Sequence, residues 1–468
     1  MSDIHSALIL VPHQDDEINI AGQVIPSMIE AGVECHVCFS TNGDFRGEDG
    51  PVRAREALSV ARYLGIPRDN VIFLGYPNYD EKRHLYDFPD AVLRSFGHCE
   101  TYTYVDELQC WSTRQTGKAR PLMRASLRAD VVDFLDSLLP DIVFCIDFDS
   151  HPDHRALSLL FDEAMEDVLR AHRSYSPLVL KKFAYASSWR GPCDYYEFAN
   201  SVPPSWIPAN WPYELENPNY TWAGRIRLRP HVKTLTPGRK GNSVYGAFSL
   251  YPSQGAWPHF RSVCNADVVY WVRRTDNLLY GANISASSGD ASSIGGFRRF
   301  EVRSVCSDLE NLEFLPVGWI PDGDDADRTV RILFPQLTKV SFLRIWCSPG
   351  HIPRGILRYE SDLGVCAQAA FSDNASAVLR LDARQPINSV TVDFSDLEGA
   401  FSIASIEVLD CEDGDWELLR TFKRMLEQRG TMVPVPSRFA KAKALLMKIR
   451  VAFYYRVQCK FAKDTKWM

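Results

Sequence analysis

Two short runs in this 468-residue chain gather the side chains that bind metal ions and move protons: Pro12-His13-Gln14-Asp15-Asp16-Glu17, and Asp149-Ser150-His151-Pro152-Asp153-His154. Imidazole and carboxylate are ligands that zinc takes readily, and three protein ligands leave a fourth position open, as in catalytic rather than structural sites. His13 and Asp16, three apart at a strand-to-helix corner, supply a nitrogen and an oxygen, and His154 supplies the third ligand. Zinc brings the pKa of a bound water to about 7, so Asp15 is placed to take a proton at neutral pH. His151, one turn from His154, is the second imidazole available to an oxyanion or a leaving amine. Asp147, Asp149 and Asp153 are placed to orient the rings by hydrogen bonds. Each run alone also suits an ordinary helix start or turn; it is their shared position in the fold that favours a metal site.

That position follows from the elements around them. Residues 5–12 read as a buried strand, 18–31 as a helix with an apolar stripe closed by Gly32, and 33–39 as a second strand. A helix at 53–64, strands at 71–74 and 142–147, and helices at 124–138 and 154–169 continue the alternation, with another strand at 178–187. This rhythm predicts an α/β fold, a Rossmann-like, mostly parallel sheet with helices on both faces. Ligands of such sheets bind at the carboxyl ends of the strands, and both runs immediately follow a strand. Residues 76–121 interrupt the pattern with a long polar and aromatic insertion, which predicts a substrate lid.

The two runs resemble the signatures of the PIG-L (LmbE-like) deacetylases. The resemblance covers about residues 1–285 and implies zinc-dependent removal of the N-acetyl group from a GlcNAc-type glycoside or glycolipid. It further implies His13, Asp16 and His154 as zinc ligands, Asp15 as general base and His151 as oxyanion stabiliser. Arg53, with Glu56 ahead of Leu64-Gly65, resembles the family's arginine that contacts the substrate sugar; by itself, an arginine there also suits a solvated helix face. Lys240 and Tyr251-Pro252-Ser253-Gln254 resemble a further family segment. The family usually has proline where this chain has Gln14, which predicts a looser loop with its chemistry intact. Two other functions remain open: a glycan-binding protein that keeps the metal without chemistry, and an amidase acting on a non-sugar amide.

From about residue 286 the texture changes to short strands separated by Gly, Asp, Ser and Pro, which predicts an all-β sandwich. Trp319-Ile320-Pro321-Asp322-Gly323 and Ser405-Ile406-Glu407-Val408 resemble a discoidin-like, galactose-binding jelly roll. The expected division is residues 1–285, 286–412 and a basic helical tail at 413–468. Residues 419–468 carry 13 Lys and Arg against two acids, so the rest of a chain of net charge −7 is strongly acidic. Over 438–463, basic and apolar positions alternate, as in a helix lying on an anionic membrane surface. No nucleic-acid module accompanies the charge, so no nucleic-acid partner is expected. Trp189, Tyr195, Tyr196, Trp206, Trp211, Tyr220 and Trp222 are available to stack on sugar rings or to pack within loops. The 12 scattered cysteines read as reduced thiols, and the start lacks a basic-then-apolar leader. Both predict a cytoplasmic protein, peripheral at the inner membrane face if the tail binds lipid.

Overall fold

The computed structural model describes residues 4–45, 49–80, 82–105, 108–184, 225–236, 241–255, 263–264, 267–308, 311–347, 354–360, 366–372, 376–380, 386–394 and 401–429. Lys240, the aromatic stretch from Trp189 to Trp222 and the basic stretch 438–463 lie outside the described residues. No helix among the described residues is long and apolar enough to cross a membrane.

Strand β1 (Ser6–Val11) is buried from Ala7 onward, as a continuous apolar run must be when helices cover both faces of a parallel sheet. It is followed by α1 (Asp16–Ala21), α2 (Ile25–Glu30), β2 (Glu34–Thr41), α3 (Asp49–Leu64), β3 (Val71–Tyr76), α4 (Trp111–Thr116), α5 (Arg124–Leu138), β4 (Ile142–Ile146), α6 (Pro152–Ala171), β5 (Leu178–Lys182), β6 (Ile226–Leu228), α7 (Ser243–Phe248) and β7 (Val268–Arg273). The sheet order is β3-β2-β1-β4-β5-β7-β6. From β3 to β5 all neighbours are parallel, and β7 runs antiparallel to β5 and β6. The chain leaves β1 on one side for β2 and β3 and returns on the other for β4 and β5. The β1/β4 pair is therefore the topological switch point, where outgoing loops diverge and open a crevice.

The single helix expected over 18–31 is two. Pro26 lacks the N–H that a continuous helix would bond back to residue 22, and it sits instead in the first turn of α2. The described parts of the insertion after β3 pack against the domain. Trp111 of α4 meets Phe134 of α5 edge-on at 4.9 Å, Leu85 and Tyr86 are buried, and the Asn42 side chain donates to the Tyr102 carbonyl at 2.9 Å.

Beyond the first sheet lie β8 (Asn283–Ala286), β9 (Glu301–Val302), β10 (Phe314–Leu315), β11 (Thr329–Thr338), β12 (Phe342–Cys347), β13 (Arg354–Glu360), β14 (Cys366–Ser372), β15 (Ser376–Arg380), β16 (Ile387–Asp393) and β17 (Ile403–Leu409), then α8 (Glu417–Arg429). Two antiparallel sheets, β14-β13-β16-β11-β8 and β15-β12-β17, enclose a core that includes Trp319, Ile332, Leu343, Val390 and Ile406, giving the expected β-sandwich. The short pair β9–β10 is separate from both sheets.

The core of the parallel sheet draws on these later residues. Phe297, Phe300, Val302 and Val305 belong to it, as do Trp416, Leu419, Phe422 and Leu426. Leu419, Phe422 and Leu426 recur at helical spacing on the buried face of α8, and the Phe422 ring lies 6.0 Å from that of Phe144 in β4. Phe422→Ala should therefore destabilise the protein by about 3–5 kcal/mol, read as a lower denaturant midpoint. An unchanged midpoint would show that α8 does not complete this core.

Candidate metal centre

Both loops at the switch point are held by their own local bonding. Asp15, the residue before α1, has φ 125° and ψ −23°, a conformation that costs a non-glycine residue about 1–3 kcal/mol. Its N–H donates to Glu17 Oε2 at 2.9 Å, and its carbonyl accepts from the N–H groups of Ile18 and Asn19. Gln14 does not loosen the turn: its Nε2 donates to the Thr41 carbonyl at 2.9 Å, and its own carbonyl accepts from Arg53 at 3.0 Å. Gly43 makes room for this packing, because a Cβ there, at φ +67°, would lie 2.1 Å from Gln14 Oε1. In the second loop, His151 caps α6, its Nδ1 accepting from the Asp153 N–H at 3.2 Å, and Pro152 occupies the first helical position, where no N–H is needed.

Three donor atoms converge between the loops. His13 Nδ1 lies 3.0 Å from Asp16 Oδ2 and 3.2 Å from His154 Nε2, and the last two are 3.2 Å apart. Zinc bonded tetrahedrally to nitrogen and oxygen at about 2.0–2.1 Å spaces its ligands by about 3.3 Å, so the triangle fits such an ion. The far nitrogens are held by carboxylates: His13 Nε2 is 2.9 Å from Asp153 and His154 Nδ1 is 2.9 Å from Asp149. In its neutral form each ring would carry its hydrogen toward the carboxylate and turn its lone pair into the triangle. His151 is also close enough to group with His13 and His154 around an ion. With its Nδ1 accepting a backbone N–H, however, the neutral ring of His151 carries hydrogen on Nε2 and presents a donor rather than a ligand.

The surrounding residues include several that their position in the sequence did not advertise. Asp153 also receives His84 Nε2 at 3.1 Å and the N–H of Tyr79, while the Tyr79 ring meets His151 edge-on at 5.0 Å. Glu17 is buried and accepts from the Tyr251 hydroxyl at 2.7 Å. Glu56 accepts from the Ser253 N–H and hydroxyl at 3.0 and 2.5 Å, so the Tyr-Pro-Ser-Gln segment is tied to the site twice. Arg53 is buried, not solvated, and lies 3.8 Å from Asp15 Oδ1. Asp147 stands apart, accepting from Ser158 at 2.9 Å and lying 3.5 Å from Lys181. Cys35 and Cys38 are both buried in β2, and burial pushes the Cys35 thiol up to about 12.

Charge is distributed unevenly across this cluster. Burial disfavours the imidazolium of His13, but the Asp153 and Asp16 carboxylates outweigh it and raise its pKa. His154 follows the same pattern, raised well above the usual range by Asp149 and Asp16 against burial. Burial also opposes ionisation of Asp16, yet the two imidazoles hold its carboxyl well below the ordinary carboxylate value. His151 is pushed well below its usual range by burial and by the like charge of His13 and His154. Burial, reinforced by the neighbouring Asp16 carboxylate and opposed by Arg53, lifts Asp15 to about 7. Burial lifts Glu17 to about 8.

At the switch point of this α/β domain, His13, His151 and His154 are grouped closely enough to hold a metal ion. Residues 8–165 match the family described as PIG-L: GlcNAc-PI de-N-acetylase, and that stretch is a PIG-L family domain. No curated protein sequence matches this chain. Among solved structures, it is similar to the N,N'-diacetylchitobiose deacetylase from Pyrococcus horikoshii at 20% identity and a TM-score of 0.26, over 38% of this chain and 60% of that one. The chain thus spans about 60% of that deacetylase's length. It is similar to GalB, the 4-carboxy-2-hydroxymuconate hydratase of Pseudomonas putida KT2440, at 15% identity and a TM-score of 0.31, over 57% and 95% of the two chains. The family 32 CBM from C. perfringens NanJ is similar at 18% identity and a TM-score of 0.20, over 27% of this chain and 93% of that one.

Because His13 and His154 hold protons above the ordinary imidazole range, a metal ion must displace them. Metal affinity should rise with pH through and above about 6.5, with proton release on binding. The metal-free protein should show the opposite trend. Groups whose folded pKa is raised stabilise below their unfolded value and lose that contribution as pH rises through the folded one. Chelator-competition titrations and thermal melts across pH 5–9 test both trends; a metal affinity independent of pH would contradict the assignment. Asp149→Asn should weaken metal binding about 10–100-fold by the same titration.

Proposed function

We propose that the α/β domain hydrolyses the N-acetyl group of an N-acetylated sugar of GlcNAc type, releasing acetate, with zinc held by His13, Asp16 and His154. The observation that carries this reading is the 3.0–3.2 Å triangle of donors with Asp15 beside it, within residues that match a family described as a de-N-acetylase. A zinc ion bound there supplies Lewis acidity toward the acetamide carbonyl and lowers the pKa of water to about 7.

The remaining steps belong to the chain. Asp15, at about 7, is suited to accept a proton from the attacking water and return it to the departing amine. That returned proton makes the sugar nitrogen a neutral leaving group, and the water's second proton, left on the acid, passes to the freed amine, so acetate and an ammonium form with charges balanced. His151 donates through Nε2 to the oxyanion; its neutral form is favoured by burial, and its Nδ1 is occupied by the α6 cap. Arg53 contacts the sugar or holds Asp15 in place, since its guanidinium reaches both Gln14 and the Asp15 carboxylate. Beside Tyr79 and His84 lies a small cavity of about 30 Å³. Asn78 lines it and carries a buried amide oxygen without a hydrogen-bond partner, an acceptor suited to a hydroxyl of the substrate. The sugar's identity, a lipid-linked aglycone and the tail's membrane contact extend the same proposal beyond the described residues.

Purified protein should bind about one zinc per chain, and His154→Ala should lose both metal and acetate release from N-acetylated glycosides. Asp15→Asn should retain zinc while losing roughly 10²–10⁴-fold in turnover. Acetate release that survives both substitutions would refute the assignment. A wild type that binds glycans but releases no acetate from any of them would establish the binding-protein alternative.

A further inference from the structure

The ligand loop is tied to a part of the chain that lies far outside residues 8–165. Arg155, next to the ligand His154, is 2% exposed and its guanidinium bridges two backbones. On one side Nε donates to the Asp149 carbonyl at 2.7 Å and one terminal nitrogen to the Ser150 carbonyl at 3.2 Å. On the other side the second terminal nitrogen donates to the carbonyls of Val305 at 2.9 Å and Ser307 at 2.6 Å. These acceptors lie in the connection between β9 and β10. That connection is held from the opposite direction by Asp87 of the insertion, which accepts from the Ser304 hydroxyl at 2.6 Å and the Val305 N–H at 2.7 Å.

We propose that Arg155 is a positioning residue for the metal centre, and that residues 304–307 are a working part of that centre because they fix the Arg155 guanidinium. This rests on the metal site proposed above but not on the reaction. Asp149 carries the consequence: its carbonyl is held by Arg155, and its carboxylate is bonded to His154 Nδ1. The planar fork spans both backbones at once, which an ammonium at the end of a lysine does not reproduce. If the fork is lost, the Asp149 backbone is released on one side, and the carboxylate that aims the His154 lone pair loses its fixed origin. If the 304–307 connection is released, the fork loses its outer anchor with the same result.

The test is zinc affinity in the full chain, measured by chelator competition on folded protein well below its melting temperature. Arg155→Lys, which keeps the charge, and Arg155→Ala should each bind zinc about 10–100-fold more weakly than wild type. Asp87→Ala should weaken zinc binding several-fold, and Asp87→Ala combined with Arg155→Lys should lose much less than the product of the two separate effects, because both act through one contact. Phe422→Ala is the control for general destabilisation and should leave zinc affinity within about twofold, residues remote from each other acting independently. Wild-type affinity in Arg155→Lys, or fully multiplicative losses in the double variant, would overturn the proposal. Should the Ala variant not fold, the Lys and Asp87 variants decide. Zinc is read directly, so absence of acetate release in wild type would defeat the deacetylase reading while leaving this one standing.

Discussion

Two imidazole nitrogens and a carboxylate oxygen within 3.2 Å of one another, all on buried side chains, are tolerable only if a proton or a cation sits among them. The surrounding structure is arranged around that requirement. The donors come from loops after β1 and β4, and those strands are hydrogen-bonded neighbours in parallel register, so the loop ends emerge side by side. Asp149 and Asp153 stand behind the rings and fix which nitrogen carries hydrogen. The same carboxylates raise the pKa of both imidazoles against the effect of burial.

Asp153 shows how the outer wall is joined to the centre. It takes hydrogen bonds from His13, His84 and the Tyr79 N–H, so the insertion after β3 meets the carboxylate that holds the far side of the His13 ring. The β9–β10 connection, held between Asp87 and Arg155, closes the opposite flank. The two loops are thus braced by two later segments, each contributing bonds to backbone or carboxylate.

The parallel sheet, the order of its elements and the meeting of the two histidine-bearing runs were legible because each is written locally: continuous apolar strands, 3.6-residue stripes, and histidines and acids at strand ends. The proline break at Pro26 was legible in principle, since a missing N–H cannot be hidden by an apolar stripe. His84, Tyr79 and Arg155 were not, because their importance comes from meeting residues 69, 74 and about 150 positions away, and no local pattern marks such a meeting. The role of α8 was masked for another reason. Its charge placed it with a basic tail, whereas Leu419, Phe422 and Leu426 form a stripe that belongs to the core of the sheet. Arg53 read equally well as a solvated helix residue until its burial beside Asp15 distinguished the two.

That α8 supplies core residues to a sheet begun more than four hundred positions earlier bears on how the protein is made. A ribosome adding about 5–20 residues per second releases β4 well before Phe422, with an interval on the order of 15–60 s between them. Through that interval the apolar patch beside Phe144 lacks its cover. A nascent chain in this condition is a natural client for chaperones that shield exposed apolar surface, and slower synthesis would lengthen its dependence on them.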